Sequence, residues 1–142
     1  MAGRYAIGVD VGGTKIVSGV VDCDSGQVVS SAKLASPLQG ADVLVAAIEQ
    51  AITQARAAAP AEVSAAVRGI GVGLAGQVDV PNGILRLGPN LAGGVTNVPI
   101  TAPLTQQFGL PIVLGNDVQV AAIGEGAFGS GQGVDLFACV FV

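Results

Sequence analysis

Ten residues near the start, Ile7-Gly8-Val9-Asp10-Val11-Gly12-Gly13-Thr14-Lys15-Ile16, limit what this chain can become. An apolar run holding one acid meets two glycines, a hydroxyl and a lysine, and a second apolar run follows. The pattern predicts a tight hairpin between strands at about 5–11 and 15–21, because only glycine lets a backbone turn this sharply and also leave its N–H groups uncovered. Uncovered amides bind anions. A ring of them beside the Thr14 hydroxyl and the Lys15 charge suits phosphate oxygens, and Asp10 at the strand's end suits the hydrated magnesium that travels with them. The alternative is an ordinary Gly-Gly hairpin whose Asp10 only accepts turn hydrogen bonds. Phosphate is preferred because Asp10 stands among Ile7, Val9 and Val11, where an unpaired carboxylate is costly to bury. A Walker A loop is excluded: it needs Gly-Lys-Ser/Thr opening a helix, whereas Thr14 precedes Lys15 here and β-branched residues come next.

Such a hairpin needs a sheet to join, and the composition says which kind. Of 142 residues 51% are hydrophobic, 11% charged and 4% aromatic, so one aliphatic core is expected, of the sort built by parallel or mixed sheet with helices on its faces. Six basic residues against ten acidic ones, a net charge of -4, leave no footprint for nucleic acid or an anionic membrane. Any phosphate bound here is held by backbone and magnesium. The first apolar stretch carries Asp10 and no small-residue cleavage site, so a cytoplasmic chain is expected. Residues 87–116 hold no charge, but Pro89, Asn90, Gly93, Gly94, Asn97, Pro99 and Pro103 exclude a membrane span. Cys23 and Cys139 read as small buried hydrophobes, and with no histidine and no cysteine cluster no zinc site is expected.

Further along, Asp22-Cys23-Asp24-Ser25-Gly26 is a turn, and a third strand at 27–35 completes three leading antiparallel strands. Asp42 is placed as the cap of a helix in which Leu44, Ala47, Ile48, Ala51, Ile52 and Ala55 form a stripe, ended by Pro60. A glycine-rich strand comes next at 68–74. Its Gly71-Val72-Gly73-Leu74-Ala75-Gly76 matches the dinucleotide fingerprint, but the next segment is a β-hairpin around Pro81-Asn82-Gly83, and without a helix N-terminus a pyrophosphate has no seat. Residues 88–99 read as irregular. Within them Asn90 and Asn97 can hydrogen-bond neutral hydroxyls, with ordinary turn chemistry preferred for Asn97. A short helix from 99 or 101 to 108 closes at Gly109-Leu110-Pro111, a strand occupies 112–114, and Asn116-Asp117 opens a helix to about 128.

Asn116 stands three residues before Gln119, a capping spacing, so Asn116 and Asp117 taken alone read as the start of a helix. The functional alternative has Asp117, at a strand's carboxyl end, accept the proton of a substrate hydroxyl. A weak base suffices for phosphoryl transfer, where the nucleophile's proton leaves late.

In this order and spacing, Asp10-Val11-Gly12-Gly13-Thr14-Lys15, the turn Leu74-Ala75-Gly76, Pro89-Asn90-Leu91, Gly109-Leu110-Pro111 with Asn116-Asp117, and Phe128-Gly129 resemble the ROK family of repressors and sugar kinases, bacterial glucokinases among them. The resemblance implies an actin-like, ribonuclease-H-like ATPase lobe at 1–134 and, at 135–142, the first strand of a second lobe. It implies ATP and Mg2+ as cofactors, with Asp10 holding magnesium through water and Gly12, Gly13 and Thr14 approaching the phosphates. It also implies that Gly76, Asn90 and Asn116 bind a hexose-like sugar and that Asp117 is the catalytic base. The role of Lys15 stays open. The chain departs from the family at Gly76-Gln77, where Gly-Pro is usual, and at Gly115-Asn116-Asp117-Val118-Gln119-Val120, where Glu-Asn-Asp-Ala-Asn-Ala is common.

The function expected is therefore the amino-terminal lobe of an ATP-dependent sugar kinase, inactive by itself. The alternatives are the sugar-sensing lobe of a ROK-type transcriptional regulator, disfavoured by the nine residues ahead of Asp10 and by the retained acids, or a non-catalytic fragment. Leu136-Phe137-Ala138-Cys139-Val140-Phe141-Val142 is apolar and β-prone, so self-association through that strand is expected.

Overall fold

The expected α/β architecture forms in residues 3–141, which the computed structural model describes. In order, the elements are β1 (Tyr5–Val11), β2 (Lys15–Asp22), β3 (Val28–Ala35), α1 (Ala41–Ala58), α2 (Ala61–Ala65) and β4 (Val67–Leu74), then β5 (Gln77–Asp79), β6 (Ile84–Gly88), β7 (Val95–Pro99), α3 (Thr101–Phe108), β8 (Ile112–Asn116) and α4 (Asp117–Phe128). Five strands form a mixed sheet in the order β3-β2-β1-β4-β8, the first three antiparallel and β4 and β8 parallel to β1. The other three form a small antiparallel sheet, β5-β6-β7.

Alternation along the strands sorts the large sheet into two unlike faces. Ile7, Val9 and Val11 of β1, Ile16 and Val20 of β2, and Val72 and Leu74 of β4 point to one face, where α1 lays down Leu44, Ile48, Ala51, Ile52 and Ala55. Leu85 of the small sheet and Leu104 of α3 extend the same core. Burying a side chain such as Leu44 or Ile48 contributes about 1.5–3 kcal/mol, so this face supplies most of the fold's stability. The other face carries Gly8, Asp10, Gly71 and Gly73 and is crossed by α4, which has no buried residue.

Several expectations change. Asp42 does not cap α1: the cap position is Gly40, whose φ of 104° suits glycine, and no side chain caps the helix. Asp42 lies in the first turn, where its charge favours the helix dipole. Part of the 88–99 stretch, read as irregular, is β7. Its buried valines, Val95 and Val98, fall three apart because Asn97 takes a φ of 51° and breaks the alternation. Residues 135–141 form no strand, because no neighbour among the described residues offers them a ladder; Val142 lies outside the described residues. The fingerprint glycines lead into the β5–β6 hairpin, as expected, and Gly109 closes α3 at a φ of 63°. Both cysteines are free and half-buried. Among the described residues no helix is long and apolar enough to cross a membrane.

Candidate functional site

Three parallel strands end level with one another. Val11, Leu74 and Asn116 are register partners across β1, β4 and β8, so the segments beyond them emerge together at the sheet's carboxyl edge, where open α/β sheets bind ligands. After β1 comes the hairpin Gly12-Gly13-Thr14, after β4 the turn at Gly76, and after β8 the helix that begins at Asp117.

Two other segments brace the hairpin. Gly12 N–H donates to the Lys15 carbonyl at 3.0 Å, so this amide, expected to be uncovered, is taken. Ser36, only 6% exposed, donates its Oγ–H to the Gly12 carbonyl and its N–H to the Thr14 carbonyl at 3.0 Å. The Asn90 loop closes in as well: a Cβ on Gly13 would lie 2.7 Å from the Asn90 carbonyl, which is why this tip needs glycine. Gly13 and Thr14 N–H have no partner among the described residues. Thr14, Lys15 and Asn90 are exposed beside them.

Asp10 is not buried among the apolar residues of β1. It is exposed on the opposite face, since alternation sends Ile7, Val9 and Val11 one way and Asp10 the other. There it shares a cavity of about 180 Å3 with Asp117, lined also by Val9, Gly73, Val120, Ala121 and Phe141. Gly73, the register partner of Asp10, creates the gap, because a Cβ there would lie 3.7 Å from the Asp117 Cα. Partial loss of hydration, then the charge of Asp117, push the Asp10 pKa above its ordinary value, while Lys15 pulls the other way.

Asn116 does two things at once. Its Oδ1 accepts from the N–H groups of Val118 (3.0 Å) and Gln119 (3.4 Å), capping α4, and its Nδ2 donates to the Gly76 carbonyl at 2.9 Å. One Nδ2–H remains for a ligand. Gly76 is wedged in turn: a Cβ there would lie 2.2 Å from the Leu87 carbonyl. Asp117 Oδ1 accepts from the Val118 N–H at 3.0 Å. Asn97 belongs elsewhere, accepting from Arg86 Nη1 at 3.2 Å on the small sheet.

The site thus unites Asp10, Gly13, Thr14, Gly76, Asn90, Asn116 and Asp117 from segments far apart in sequence. Sequence reasoning missed Ser36, Gly73 and Phe141. Only the turn-like Ser36-Pro37 pair offered a signal. The two carboxylates of this cavity offer hard oxygen ligands that fit Mg2+ held partly by water and phosphate rather than a closed protein cage, and no cluster of three or more His, Cys, Asp or Glu occurs among the described residues.

Comparison with known proteins adds to this geometry. The family model described as the ROK family matches residues 6–142. A glucokinase of Streptomyces coelicolor is 35% identical over 134 residues, which make up 94% of this chain and 39% of that protein. Among solved structures, a ROK family glucokinase from Streptomyces griseus in complex with glucose and AMPPNP superposes with a TM-score of 0.78 at 38% identity, covering 91% of this chain and 38% of that one. A ROK hexokinase from Thermus thermophilus superposes with a TM-score of 0.77 at 31% identity, covering 92% and 40%. The chain thus spans about two-fifths of the length of these relatives.

Proposed function

Because this chain belongs to the ROK family, we propose that residues 1–134 form the amino-terminal lobe of a cytoplasmic, ATP-dependent sugar kinase that transfers the γ-phosphoryl group to a hexose hydroxyl. The observation that carries this reading is the cavity that Asp10 and Asp117 share, with the hairpin whose Gly13 and Thr14 amides are free following Asp10 directly along the chain. ATP supplies the phosphoryl group and Mg2+ neutralises its charge.

In this reading Asp10 holds magnesium through water, and the Gly12-Gly13-Thr14 hairpin meets the β- and γ-phosphates through the N–H groups of Gly13 and Thr14. Asn90, the free N–H of Asn116 and the Gly76 turn bind sugar hydroxyls. Asp117 accepts the hydroxyl proton, oriented by its place at the start of α4. Gly13 touches the Asn90 loop, so the phosphate side and the sugar side share a wall. Glucose is the first sugar to test, because the Streptomyces griseus relative is described with glucose bound. Residues 135–142 lead towards the opposing lobe.

Sugar-dependent ADP release by the complete polypeptide tests the reading. Asp117→Asn is expected to lower kcat at least a hundredfold with sugar affinity largely kept, in line with the ~10²–10⁴ contributed by a general base. Near-normal turnover in that variant removes Asp117 from the mechanism. Sugar binding without turnover in the unaltered protein favours a sensor instead. The 142-residue chain by itself is expected to show negligible turnover, because exclusion of water needs an opposing lobe.

A further inference from the structure

We infer that Ser36 is the positioning residue of the phosphate hairpin: it turns the Gly13 N–H outward to meet an anionic oxygen. This rests on the phosphate-gripping reading above and adds to it a residue outside the hairpin. The Gly12 carbonyl and the Gly13 N–H belong to one planar trans peptide and therefore point in opposite directions. Whatever holds the carbonyl aims the N–H. Ser36 Oγ–H holds that carbonyl from a site only 6% exposed, and the Ser36 N–H holds the Thr14 carbonyl at the far end of the turn. The tip has little stiffness of its own, since two adjacent glycines leave the backbone wide freedom. Neither glycine sits at positive φ, so no left-handed turn conformation locks the tip. The bond from Ser36 to the Gly12 carbonyl is the side-chain contact that holds this peptide.

A buried serine could serve only to close the loop after β3, and the test separates the two roles. It uses the 142-residue chain, magnesium triphosphate as the probe, and amide NMR of Gly13 and Thr14. In the unaltered chain the Ser36 amide is expected to exchange slowly, those of Gly13 and Thr14 quickly, and the latter two to shift on titration. Ser36→Ala is expected to move the free-state Gly13 resonance and weaken binding about five- to tenfold, the loss of roughly one hydrogen bond's orienting effect. Ser36→Thr, which keeps the hydroxyl, is expected to restore both. Unchanged triphosphate affinity in Ser36→Ala overturns the role of Ser36 while leaving the phosphate site standing. If the Gly13 and Thr14 amides of the unaltered chain exchange slowly, the inference fails without any variant having to fold. If they fail to shift with triphosphate, the phosphate reading falls and the inference with it.

Discussion

Replacing Gly76 by alanine puts the carboxyl edge of the sheet under a load that can be worked out from contacts. The new Cβ would lie 2.2 Å from the Leu87 carbonyl, 3.0 Å from Leu85 Cδ1 and 3.2 Å from the Gly88 Cα. Two of these three neighbours are backbone, so no rotamer change relieves them. Restoring an ordinary 3.4 Å contact with the Leu87 carbonyl takes a displacement of about 1.2 Å, which pulls the Gly76 carbonyl away from Asn116 Nδ2, now at 2.9 Å. Overpacking costs about 1–3 kcal/mol and the lost hydrogen bond about 1 kcal/mol, so Gly76→Ala is expected to destabilise by roughly 3 kcal/mol. With a urea m-value near 2 kcal/mol/M, the midpoint falls by roughly 1.5 M. Gly71→Ala is the control, five positions earlier in the same fingerprint. A Cβ there meets nothing within 4 Å, and alanine in a strand is expected to gain about 0.5–1 kcal/mol over glycine. Equilibrium urea unfolding of both variants decides the matter. A Gly76→Ala midpoint within experimental error of the parent, or a larger loss at Gly71, refutes the contact reasoning.

Ser18 is 1% exposed on the core face of β2, and its Oγ has no partner among the described residues. Ser18→Ala is expected to stabilise by about 1 kcal/mol by removing an unpaired buried hydroxyl, a rise of roughly 3 °C in Tm by calorimetry; a fall in Tm would mean that the hydroxyl is satisfied. Asp10 has a folded-state pKa above its ordinary 3.8, so the folded chain binds more protons than the unfolded one between those values and loses stability as pH rises through that window. Asp10→Asn should therefore raise the urea midpoint at pH 7, with the gain vanishing below about pH 3.8, and a gain that persists unchanged at acid pH would exclude charge as its cause. Leu136 and Val140 are 89% and 75% exposed. Concentration-dependent association is expected in light scattering and should be lost in Leu136→Lys/Val140→Lys, whereas a clean monomer in the parent would contradict it.

Where a pattern repeats locally, the chain could be read without coordinates. The Gly-Gly hairpin, the three antiparallel strands, the apolar stripe of α1 and the Pro81-Asn82-Gly83 turn all rest on neighbours within a few residues, and each stands where expected. So does the helix cap at Asn116, legible from its spacing to Gln119. The features that escaped notice depend on contacts between distant segments. The bond from Asn116 to Gly76 spans 40 residues, and that from Ser36 to Gly12 spans 24; a single polar residue at either end announces neither. Asp10 was misplaced for a different reason. Its neighbours in sequence are apolar, but in a strand the side chains that share its surroundings lie two residues away or on the next strand.

That correction changes the argument for a cation without removing it. Asp10 needs no partner to escape burial, because it is exposed. It does stand in the cavity of a second acid, where loss of hydration first and then the charge of Asp117 raise its pKa, on the face of the sheet crossed by α4, which buries no residue. Neither carboxylate braces the other, and among the described residues neither forms an ion pair. A fold selected for stability alone gains nothing from two like charges across a gap that Gly73 holds open, whereas a site that receives a divalent cation and an alcohol needs both acids and the gap. On this account the local repulsion is the cost of a functional arrangement, and adding Mg2+ together with a phosphate ligand should lower the Asp10 pKa, because the cation stabilises the ionised carboxylate that Asp117 opposes.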